Sequence, residues 1–175
     1  MRFFLILSFF VAMVGMVGCV QGPPQYPIEP HIEFKSVSKD TLMSGDSLTF
    51  TITFTDGDGD IGTDLSTKPQ FNSPLCDLFG DSSVIKDPYW SLILIDHRDS
   101  CPEAKVLPFV EPTGKFDDLS GEIDFYTSLL ECKIAGCSGD PACVEDKLVY
   151  TVLVKDRKGH LSNPVVTPPI TIRCK

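Results

Sequence analysis

At 175 residues, 42% of them hydrophobic, the chain is long enough to bury the core of one domain. Its 24 acidic and 15 basic residues give a net charge of −9, and the basic residues form no cluster. Nucleic acid and anionic lipid headgroups are repelled by such a chain, so no nucleic-acid partner is expected.

Residues 1–18 differ in kind from the rest. Arg2 precedes an apolar run from Phe3 to Val14, and small residues then lead to Cys19, which is the order of a secretory signal. Gly15, Gly18 and Pro23-Pro24 close the segment before it reaches the ~20 apolar residues of a transmembrane helix. Met16-Val17-Gly18-Cys19 resembles the bacterial lipobox. That resemblance implies cleavage before Cys19 and acylation of its thiol, with the membrane as a partner through the lipid. Two or more acyl chains hold a protein stably, since each buried methylene contributes ~0.8 kcal/mol. Loss of Arg2 makes the remaining chain one unit more negative.

Residues 19–30 are rich in proline, which fixes φ and lacks a donor, so they read as an extended tether with a reach of ~30 Å. Residues 31–175 form the domain. Ile32, Phe34 and Val37 predict a first strand, and Asp40–Gly45 a turn. Ser47–Phe54 alternates Leu48, Phe50, Ile52 and Phe54 with serine and threonine, a half-buried strand. Tyr89–Ile95 is aromatic and β-branched, Val106–Val110 and Gly121–Tyr126 are shorter candidates, and Lys147–Lys155 alternates again. The last strand spans Val165–Arg173, where Pro168 and Pro169 require an edge or a bulge. A single helix is expected, over Thr127–Ala135. About seven strands with turn signals between them predict an all-β, immunoglobulin-like β-sandwich with a cysteine-rich, partly helical insertion.

Lipidation of Cys19 would leave six of the seven cysteines: Cys76, Cys101, Cys132, Cys137, Cys143 and Cys174. An oxidising compartment favours three disulfides among them. Cys137–Cys143 closes a short loop around Gly139-Asp140-Pro141, and Cys76–Cys101 and Cys132–Cys174 are the expected remainder. Zinc is the rival at Cys132, Cys137 and Cys143, but their spacing lacks a C-x2-C pair.

Gly45-Asp46-Ser47-Leu48-Thr49-Phe50, the run Phe54-Thr55-Asp56-Gly57-Asp58-Gly59-Asp60-Ile61-Gly62, and Val154-Lys155-Asp156 through Asn163 are similar to small Bacteroidetes lipoproteins with an immunoglobulin-like or fibronectin-like domain. The resemblance implies a fold and an outer-membrane location more than an activity. Surface-exposed members often carry an acidic signal after the lipidated cysteine. Val20-Gln21-Gly22-Pro23 has none, so the periplasmic face is expected.

Asp56, Asp58 and Asp60 sit at alternate positions, separated by Gly57 and Gly59, which let the backbone curl and gather the carboxylates. A structural Ca²⁺ is the expected cofactor. The pattern starts like an EF-hand loop and then departs from it, with Ile61 at the glycine position and Thr67 in place of the closing glutamate. In a sandwich, Asp156 and one of Asp117 or Asp118 lie at the same end and could complete the shell. Water around an acidic turn is the competing explanation.

Asp96-His97-Arg98-Asp99 is the most enzyme-like group, but neighbours on a strand face opposite ways, so a solvated strand end is expected there. His31 and His160 read as surface residues, and Trp90, beside Tyr89, as a buried strand anchor rather than a sugar platform. No Gly-x-Ser-x-Gly elbow occurs. The expected function is a lipid-anchored, non-catalytic envelope module that presents loops to a protein or glycan. The alternative is an envelope hydrolase or enzyme accessory subunit using Asp/His chemistry.

Overall fold

Leu48, Phe50, Ile52 and Phe54 form a buried row on one face of a single extended strand, as period-two alternation requires. The computed structural model describes residues 26–63, 89–111, 117–134 and 144–174. Cys19, Cys76, Cys137 and Cys143 lie outside these, as do the signal and the first part of the tether. The described residues form β1 (His31–Val37), β2 (Thr41–Met43), β3 (Asp46–Asp56), β4 (Leu92–Asp96), β5 (Pro102–Lys105), β6 (Leu119–Leu130), β7 (Glu145–Leu148), β8 (Tyr150–Val154), β9 (Val165–Val166) and β10 (Ile170–Arg173).

Three sheets result, ordered β1-β3-β6, β2-β10-β7 and β5-β4-β8-β9. All pairings are antiparallel except that of β2 with β10. One core joins residues of all three sheets. Phe50 stacks on Phe125 within the first sheet at 5.3 Å and meets the edge of Tyr150 from the third at 5.8 Å, so aromatic rings bridge the layers. This is an all-β arrangement consistent with a β-sandwich.

Several expected boundaries move, each for a physical reason. Lys147–Lys155 is two strands, because the chain breaks at Val149 and passes from the β10 ladder to the β4 ladder. Val165–Arg173 likewise splits, since Pro168 and Pro169 cannot donate to a ladder. The expected turn at Asp40–Gly45 holds β2, recruited by the exposed edge of β10. The strand expected at Val106–Val110 forms earlier, at Pro102–Lys105, and Pro108 makes only an isolated bridge to Thr63. The one expected at Tyr89 starts at Leu92.

The expected helix is not found in its described part. β6 pairs with β3 as far as Asp46↔Leu130, and residues 131–134 are irregular. The ladder, despite a register shift between Asp46 and Leu48, supplies backbone hydrogen bonds that outweigh a weak local helical preference. Beyond β6, Cys132 is disulfide-bonded to Cys174 after β10, a bridge that ties the first sheet to the second across 42 residues. Cys101 is also disulfide-bonded.

Candidate metal centre

Two core-facing rows end in carboxylates. In β3 the buried positions Leu48 to Phe54 continue to Asp56, which is fully buried. In β8 the row Tyr150, Val152, Val154 continues in the same way to Asp156, which is 3% exposed. The period of two thus delivers one carboxylate from each of two sheets to the same end of the core.

Each carboxylate then closes a tight turn by accepting from the backbone N–H four residues further on. Asp60 N donates to Asp56 Oδ2 at 2.8 Å, and His160 N donates to Asp156 Oδ1 at 2.8 Å. Gly59 at φ 62° lets the first turn adopt a left-handed step. The turns are fastened to each other by the Ile61↔Asp156 bridge and by Arg157, whose backbone N and Nε each donate to Asp60 O at 3.2 Å.

The result gathers Asp56, Asp58, Asp60 and Asp156, with one carboxylate oxygen of each within 4.8 Å of the others. Three of these side chains are half-used. Asp56 Oδ2 accepts from Asp60 N, Asp58 Oδ2 lies 2.5 Å from Lys158 Nζ, and Asp60 Oδ2 lies 3.6 Å from it. The other oxygen of each, Oδ1, is shut off from solvent and has no hydrogen-bond partner among the described residues. Asp156 is held at its second oxygen by His160 Nδ1, 2.7 Å away.

The electrostatics match this crowding. Burial pushes Asp56 up to about 6, and repulsion from Asp58, Asp60 and Asp156 adds to it against the pull of the Asp60 amide. Asp60 is raised by burial and then by Asp156 and Asp58. Asp58 is lowered, because Lys158 outweighs its burial. Like charges at such spacing repel by roughly 3 kcal/mol per pair at an effective dielectric of 20, and although Lys158, Arg157 and His160 bring positive charge close by, the three Oδ1 atoms keep no partner among the described residues. An all-oxygen anionic set suits a hard cation of the Ca²⁺ type and lacks the thiolate or free imidazole that zinc prefers.

The expected set Asp56, Asp58, Asp60 and Asp156 is therefore brought together, and Asp117 and Asp118 stand outside it. His160, expected as an ordinary surface residue, is instead the positioning partner of Asp156. Its four-residue spacing from Asp156 repeats that of Asp60 from Asp56, a signal legible in the sequence. Lys158 carries no such mark.

Asp96 corrects another expectation. Rather than a solvated strand end it is 3% exposed, at the opposite end of the core, where Arg98 Nη2 meets it at 2.7 Å and Lys133 Nζ at 3.0 Å. Arg98 continues to Asp146 at 2.8 Å and to the Glu131 carbonyl, and Lys133 to Asp99 at 2.6 Å. His97 faces away and pairs with Thr151 Oγ1 at 2.7 Å. Trp90 packs against Ile93, and among the described residues the aromatic side chain most exposed is Tyr126, 67% accessible with Lys105 Nζ 5.8 Å from its ring centre. Comparison with protein-family models, curated proteins and solved structures finds no match for this chain.

Proposed function

We propose that the protein is a lipid-anchored, non-catalytic binding or scaffold module of the bacterial envelope, built on an immunoglobulin-like sandwich and braced by a structural Ca²⁺ at Asp56, Asp58, Asp60 and Asp156. The observation that carries the cation is the set of three buried Oδ1 atoms without partners. A buried carboxylate oxygen left unpaired costs on the order of 1–3 kcal/mol or more, and folding tolerates three together only if something else meets them. The cation would pin the 56–61 and 156–160 loops and so present a rigid surface to an envelope protein or glycan. The non-catalytic reading is supported by the engagement of the groups that the Asp/His alternative would use: Asp96 is held by Arg98 and Lys133, His97 by Thr151, and Asp156 by His160.

Anchoring rests on the Met16-Val17-Gly18-Cys19 pattern, and the periplasmic face of the outer membrane on the uncharged residues that follow. Two measurements test the proposal. The thermal midpoint should rise with millimolar Ca²⁺ and fall with chelator, and equal midpoints would remove the cation. Mass spectrometry of the N-terminal peptide should find an acylated Cys19, whereas an unmodified Cys19 within a longer chain would remove the anchor.

A further inference from the structure

Gly57 stands between two of the four carboxylates and touches a different part of the molecule. Its N–H donates to the Pro27 carbonyl at 2.8 Å. A Cβ at this position would overlap the carbonyl groups of both Tyr26 and Pro27, so only glycine allows the segment to lie this close. Pro30 is buried, and from Ile32 onward the chain is fixed independently: Asn163 Oδ1 accepts from Ile32 N and Asn163 Nδ2 donates to Ile32 O, both at 2.9 Å, while β1 pairs with β3. The stretch 26–30 therefore runs from a firm anchor across the acidic loop, and its hold on that loop passes through the Gly57 backbone.

We propose that the cation site is also a clasp for this N-terminal segment: binding at Asp56, Asp58, Asp60 and Asp156 sets Gly57 in the position that docks Tyr26–Pro30 against the domain. The inference rests on the cation reading above and adds a consequence to it. Without a cation, the repulsion among Asp56, Asp58 and Asp60 is relieved by opening the loop between them, and Gly57 moves with its two neighbours. With a cation, the loop closes and the segment is seated. Coupling of this kind is reciprocal, so the docked segment strengthens cation binding by the same factor by which the cation strengthens docking. The cation thereby governs how the domain stands on the chain that leads to it.

The test uses the full-length exported protein in detergent, with NMR order parameters at the Ile28 and Glu29 amides, in Ca²⁺ and in excess chelator. Order parameters of ~0.85 with Ca²⁺ and below ~0.6 with chelator are expected. Gly57→Ala keeps all four carboxylates but displaces the segment, so Ile28 and Glu29 should stay mobile in Ca²⁺ and calorimetric affinity should fall by about tenfold. If Ca²⁺ binds the native chain yet Ile28 and Glu29 are equally ordered in chelator, the clasp is overturned and the cation site stands. If calorimetry registers no binding, both are overturned. Should Gly57→Ala fail to fold, the comparison on the native chain decides alone.

Discussion

Asp56 is the residue on which the acidic end turns, because it is fully buried, crowded by three like charges and half-satisfied. Replacing it with asparagine removes a charge that burial penalises and also removes a cation ligand, so the two effects have opposite signs. Asp56→Asn should raise the thermal midpoint in chelator and abolish the further rise on adding Ca²⁺. A variant that still responds fully to Ca²⁺ would exclude Asp56 from the shell. At the other end of the core the signs reverse. Burial works to raise Asp96, and hydrogen bonds from Arg98 and Lys133 outweigh it, leaving it below 3.8; Asp146 is lowered by the Lys133 amide and Arg98 against its own burial. A carboxylate depressed by folding contributes stability that is present above its unfolded value and lost as pH falls through its folded one. Stability should therefore decline below pH ~4 as these two groups protonate, and Asp96→Asn should flatten that decline while lowering stability at neutral pH. Urea midpoints measured between pH 2 and pH 7 would show an unchanged slope if the network contributed nothing.

Among elements, β3 does the most to organise the fold, since it pairs with β1 on one edge and β6 on the other and carries Phe50 into the contact between layers. Its pairing with β6 extends the latter through a stretch whose sequence suggested helix, an instance of a ladder overriding local preference. That extension places Cys132 beside Cys174, where the bridge closes a loop of 42 residues. Loop-closure entropy for that length corresponds to roughly 4 kcal/mol. Cys132→Ser should lower unfolding free energy by about that amount, measured by urea denaturation under non-reducing conditions. A loss well under 1 kcal/mol would mean that the shared core, and not the bridge, holds β6 to the second sheet.

Across the whole molecule, the ionic network of Asp96, Arg98, Lys133 and Asp146 and the carboxylate group of Asp56, Asp58, Asp60 and Asp156 occupy opposite ends of one core. At one end Arg98 and Lys133 reach the carboxylates directly, and at the other three buried carboxylate oxygens are left without a partner among the described residues. Chelator should accordingly raise amide hydrogen exchange in residues 56–61 and 156–160 and leave β4 and β7 unchanged. Uniform loosening would show that the acidic end supports the entire fold. The all-β class and the rows of β3 and β8 were legible because alternation is a local property, written in Leu48 to Phe54 and in Tyr150 to Val154. So was the acidic group, since Asp56 and Asp156 extend those rows by one step. What the sequence could not decide was partnership. Whether Val149 interrupts a strand depends on which edges β10 and β4 offer, and whether Asp96 meets water or Arg98 depends on where Lys133 and Asp146 arrive from distant parts of the chain. Those outcomes follow from hydrogen bonds and charges brought together by packing, and only the tertiary structure determines them.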